Sequence, residues 1–118
     1  MLDITTLQQD QVQCLLGQRL PHVTAMAFGS RVAGWPFGRG AKTYSDLDIA
    51  LWGPRGSDDK ALAHLRVDLE DSALPWRVVL SDGNDLPPAL RELVEWHGVP
   101  LSSMSRPAHL QDTPGIAR

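Results

Sequence analysis

Cysteine is nearly missing from this 118-residue chain, where Cys14 stands alone. A single thiol makes no internal disulfide and no cysteine-rich metal cluster, and it points to a reducing, cytoplasmic setting. On the first predicted helix it is expected as a small buried hydrophobe. A large excess of charge of either sign is lacking too, the formal net charge being −3, which argues against a broad basic surface for nucleic acid. No stretch approaches the roughly 18 apolar residues of a membrane span. Met1-Leu2-Asp3-Ile4 lacks the basic start and apolar core of a signal peptide. Repeats and long low-complexity tracts are absent. The four histidines, His22, His64, His97 and His109, share no metal-ligand spacing.

What remains is an ordinary balance for a soluble domain, 42% hydrophobic and 21% charged, enough for one modest core. Leu7, Val12, Leu15 and Leu16 predict a helix from Thr6 to Arg19 that Pro21 stops. His22 to Phe28 reads as a buried strand ending at Gly29-Ser30, and Ser30 to Ala33 is expected to open a short helix. Trp35 to Gly40, rich in glycine, reads as a loop. Asp46 to Trp52 is the next strand, and a helix with Leu62, Leu65 and Leu69 on one face runs from Ser57-Asp58-Asp59 to about Asp71. Trp76 to Leu80 follows as a strand. Asp85 is expected as a cap, with Pro87 and Pro88 in the first turn of a helix that Gly98 ends. Val99-Pro100-Leu101 suits an edge strand, where a proline is tolerated. The alternation predicts an α/β (α+β) class, a small mixed sheet with helices packed on it. Residues 1–101 form the expected domain and 102–118 a disordered tail.

Two stretches carry chemistry. Phe28-Gly29-Ser30-Arg31-Val32-Ala33-Gly34 is a turn after an apolar run, where backbone N–H groups can approach a phosphate. In Ser45-Asp46-Leu47-Asp48-Ile49-Ala50, strand alternation puts both carboxylates on one face. Paired carboxylates beside a phosphate-cradling turn suit a divalent metal–nucleotide site. The bland reading, a solvated strand face, requires a carboxylate pair inside an apolar strand to go uncompensated.

Gly29-Ser30 with Gly34, followed by Ser45-Asp46-Leu47-Asp48-Ile49-Ala50, resembles the signature of the DNA polymerase β-type nucleotidyltransferases, and more narrowly of their minimal members. The likeness runs from about His22 to Leu101 and includes Leu74-Pro75-Trp76-Arg77-Val78 and the helix from Leu86 to Trp96. It implies transfer of a nucleoside monophosphate from ATP or another NTP to a protein or small-molecule hydroxyl. Asp46 and Asp48 would hold Mg²⁺ in a two-metal arrangement as the catalytic residues. Gly29, Ser30, Arg31, Gly34 and Ser45 would bind the nucleotide. It also implies a helical HEPN-type partner, often in a toxin–antitoxin pair, with that partner or a second copy completing the cleft.

Two departures stand out. The family's third carboxylate belongs where this chain has Val79, and an aliphatic side chain neither ligates metal nor takes a proton. Alternation puts Asp82 on the opposite face from Val79. The loop from Trp35 to Tyr44 exceeds the usual spacing, and its Arg39 and Lys42, with Arg31, face phosphates or serve as solvated charges. Trp35 and Phe37 stack on a base or a partner, or fold onto their own domain. Trp52, Trp76 and Trp96 are expected as core or interface anchors, His97 as a cation at a helix C-terminus, and Glu70-Asp71 as a solvated face. The other class of function is a degenerate nucleotide- or partner-binding module that no longer turns over.

Overall fold

In the computed structural model, residues 2–36, 45–53 and 58–101 are described. They form three α-helices and one four-stranded mixed sheet in the order α1 (Thr6–Arg19), β1 (Thr24–Phe28), β2 (Leu47–Trp52), α2 (Asp59–Glu70), β3 (Val78–Asp82), α3 (Pro88–His97) and β4 (Val99–Pro100). The fold is α+β. The expected tail and the loop residues 37–44, with Phe37, Arg39 and Lys42, lie outside the described residues.

α1 begins at a reciprocal cap: the Thr5 hydroxyl accepts from the Gln8 N–H at 3.0 Å and the Gln8 amide oxygen accepts from the Thr5 N–H at 2.9 Å, satisfying two donors that a helix start leaves open. Val12 and Leu16 are buried, but Leu7 is 81% exposed and Cys14 is exposed, contrary to the buried thiol expected. α1 is only weakly amphipathic, so its sequence does not fix which side faces the core.

The sheet runs β3-β2-β1-β4. β1 pairs antiparallel with β2 and β4, whereas β2 pairs parallel with β3. β1 starts two residues later than the sequence suggests. Pro21 begins a turn in which the Val23 N–H bonds to the Leu20 carbonyl at 3.1 Å, and His22 is held by Asp58 at 2.9 Å. The helix expected at 30–33 is a turn instead: the Val32 N–H donates to the Gly29 carbonyl and Val32 bridges Leu2. β3 is also displaced, covering Val78–Asp82 and not Trp76–Leu80. Trp76 is drawn out of the strand into the core. Asp85 lies in a one-turn 3₁₀ segment, Gly83–Asp85, and α3 is entered through Pro87 with Pro88 in its first turn.

The two sheet faces are unequal. One carries Ala25, Ala27, Leu47, Ile49, Leu51 and Leu80 against α1 and α2; the other carries Met26, Phe28 and Ala50 against α3. Gly98 ends α3 without left-handed backbone; a Cβ there would press on the Val94 and Ala27 carbonyls. Its small size lets α3 lie close to β1.

Candidate functional site

β2 sets the site. Asp48 is the Cα partner of Phe28 on β1 and of Val79 on β3, so all three share the α3 face. Asp46 precedes the strand on that same face, and both carboxylates are half-buried. Among the described residues neither carboxylate has a hydrogen-bond donor or an ion-pair partner. Burial, and then the neighbouring Asp46 charge, push Asp48 above the usual carboxylate range, because a desolvated anion beside a like charge is costly.

The turn after β1 closes over Asp48. Gly29 has φ +86°, and a Cβ built on it would fall 2.6 Å from Asp48 Oδ2. Only glycine meets both requirements. The same absence of a side chain leaves backbone directly beside the carboxylate. Ser30 follows, half-buried. Gly34 has φ +80° with open space around its Cα, so backbone conformation alone calls for glycine there.

Arg31 does not project into this cleft. It is buried, with Nε donating to the Ser45 carbonyl at 2.8 Å, Nη1 donating to the Asp3 carbonyl at 2.9 Å, and the guanidinium 4.8 Å from the Trp76 ring centroid. These contacts tie the turn to the residue just ahead of Asp46 and to the N-terminal segment. Ser45 takes part through its carbonyl. Trp76 and Asp3 thus support the site from outside the two motifs, and no local signal marks them, since their contacts come from distant segments.

Val79 lies directly beside Asp48, where a third carboxylate would complete a cluster. Among the described residues no group of three or more His, Cys, Asp or Glu side chains is gathered to hold a metal. Asp82 pairs with Leu51 on the opposite face, where its side chain accepts from the Asn84 N–H at 2.8 Å. Trp35 folds back on its own domain, against Phe28 and edge-on to His97 in the last turn of α3. Trp52 packs over Gly83, Trp76 is in the core, and Trp96 is 76% exposed. Glu70 and Asp71 are exposed, as expected.

The carboxylate pair fits a divalent cation. It offers hard oxygen donors, lacks compensating donors among the described residues, and has a glycine backbone directly beside Asp48.

The chain is 39% identical over 93 residues to the Haemophilus influenzae protein adenylyltransferase MntA, the match spanning 79% of this chain and 77% of that relative. A solved minimal nucleotidyltransferase superposes with a TM-score of 0.60 at 28% identity, covering 80% of this chain and 90% of the other. A structure of the MntA–HepT toxin–antitoxin pair superposes with a TM-score of 0.55 at 26% identity, covering 82% and 71%. No family model matches the chain.

Proposed function

The chain belongs to the minimal nucleotidyltransferases of the MntA type, and on that premise we propose that it transfers a nucleoside monophosphate, adenylyl first among them, from an NTP to a hydroxyl of a helical HEPN-type partner, as the antitoxin of a pair. The observation that carries this is the uncompensated Asp46–Asp48 pair, with Asp48 pressed against the Gly29 backbone. In the reaction the acceptor oxygen bonds to the α-phosphorus, the bond to the β-phosphate bridge breaks, pyrophosphate leaves and the hydroxyl proton passes to solvent or to a group of the partner. Asp46 and Asp48 would hold Mg²⁺, which when bound neutralises phosphate charge and lowers the acceptor's pKa.

The remaining work falls to the chain. The Gly29-Ser30 backbone and hydroxyl bind the β- and γ-phosphates. Arg31 keeps the start of β2 fixed through the Ser45 carbonyl, so that the carboxylates stay in place. Val79 offers no proton acceptor, so deprotonation falls to solvent or to the partner. NTP and divalent cation are cytoplasmic, which is the setting this reading requires. The relatives support it: one is an adenylyltransferase and another a toxin–antitoxin complex.

A second reading rests on Val79 beside Asp48: a degenerate module that binds nucleotide and partner without turnover. Incubating the chain, its co-purified partner and Mg²⁺ with α-labelled ATP separates the two. Covalent label on the partner, lost in Asp46→Asn, is the expected result. A stable complex that never acquires label would replace transfer with binding.

A further inference from the structure

β3 is the sheet's outer strand, and among the described residues nothing pairs with its free side. The Leu47 N–H donates to the Arg77 carbonyl at 2.8 Å, and the parallel register continues Leu47↔Val78 through Leu51↔Asp82. In such a ladder alternate residues turn their N–H and C=O toward the neighbour. Arg77, Val79 and Ser81 therefore serve β2, and the backbone groups of Val78, Leu80 and Asp82 point outward.

Beside this edge, on the α2 side, lies a cavity of about 440 Å³. Its floor is apolar, with Leu69, Trp76 and Leu80 buried and Leu74 and Val78 half-buried. Exposed Arg66, Glu70 and Arg77 ring it, and neither arginine has an ion-pair partner among the described residues. An open strand edge, an apolar hole on one sheet face and two uncommitted cations match what an extended peptide requires. The edge supplies main-chain hydrogen bonds, and a pocket for alternate side chains supplies selectivity.

The geometry points to a peptide-docking site: an extended segment of a partner protein adds to β3 as a fifth strand, placing an apolar side chain in the cavity and an acidic one between Arg66 and Arg77. This site is separate from the carboxylate pair and does not depend on nucleotide transfer. It does border it, because Val79, the β3 partner of Asp48, also lines the cavity, and the Trp76 in its floor is the ring against Arg31.

The test is selection of a phage-displayed library of random dodecapeptides on the full chain, then amide exchange with the best synthetic peptide. Recovered peptides should combine an apolar residue with an acidic one and bind the Arg66→Glu/Arg77→Glu double variant about 10-fold or more weakly. They should also slow exchange at Val78, Leu80 and Asp82, while the ladder amides of Val79 and Ser81 stay as they were. Both arginines are exposed, so the double variant should fold. Failure to enrich any peptide, equal binding to the double variant, or protection elsewhere would overturn the proposal. So would prior protection of the three amides in the chain alone. Protection persisting on dilution would then indicate the chain's own terminal segment, and protection lost on dilution a second copy.

Discussion

At Asp48 the residue's burial and its neighbour oppose the charge its proposed role requires. Its carboxyl holds a proton to higher pH when folded than the ordinary value near 3.8. The folded state therefore binds more protons than the unfolded state across that interval, and stability falls as pH climbs through it. Asp68 has the opposite sign: the Arg19 hydrogen bond lowers its carboxyl, so its contribution is present above the ordinary value and lost in acid. Comparing wild type with Asp48→Asn cancels Asp68. In calorimetry without divalent ions, the variant should melt higher than wild type at pH 7, with the gap closing toward pH 3. Equal melting temperatures at pH 7 would mean that burial does not strain Asp48. In the same variant Mg²⁺–ATP affinity should drop by at least about 10- to 100-fold by titration calorimetry, the loss that follows when only the supports of metal ligands are removed. Gly29→Ala should fail differently. With φ +86° and a Cβ 2.6 Å from Asp48 Oδ2, it should cost about 1–3 kcal/mol in urea unfolding and weaken nucleotide binding. A neutral Gly29→Ala would show that the turn is not tight against Asp48.

At the scale of elements, the pairing of β2 with β3 decides the question that Val79 raises. A parallel register with Asp48 opposite Val79 places position 79 on the carboxylate face, and puts Asp82 on the other. Val79→Asp should thus speed label transfer by about 10²–10⁴-fold, the usual worth of a placed general base, at a cost of about 1–3 kcal/mol in the metal-free protein from crowding a third carboxylate. Asp82→Asn should leave transfer unchanged. No gain in a folded Val79→Asp protein would mean that the missing group is not what limits turnover. The strand alternation behind this was legible in the sequence, as were the Asp46–Asp48 face and the Gly29 turn, because each depends on neighbours a few positions away. Arg31 was not. Taken alone it read as a phosphate ligand or a solvated loop charge, whereas Trp76 and the Asp3 carbonyl, both remote in sequence, contact its guanidinium. The two-residue offset of β3 has the same origin: a tryptophan reads as strand until a cation and a core take it. Cys14 was misplaced because α1 presents no sharp apolar stripe.

Across the whole molecule, the carboxylates lie on the thinner side of the sheet. The opposite face rests on two helices and a long list of buried aliphatics, whereas the site face rests on α3 and a cluster of Met26, Phe28, Ala50 and Val94. Val94 is the one fully buried side chain of α3, and Gly98 lets the helix end settle against β1. With so few apolar anchors, α3 should open below the free energy of global unfolding, as lightly anchored elements do. Val94→Ala deletes the main anchor and should cost about 1–3 kcal/mol. Native-state hydrogen exchange should show α3 amides accelerating first, and β2 and α1 amides moving only when the global stability is spent. Trp35 bridges Phe28 and His97 over the same layer, so its fluorescence should change with α3 opening. If α3, α1 and β2 accelerate together, the molecule is one cooperative unit and the nucleotide face is as rigid as the rest. If α3 moves alone, a partner packed over α3 would hold closed the face that carries Asp46 and Asp48, and nucleotide affinity should rise in the complex only by the share of molecules in which α3 is otherwise open.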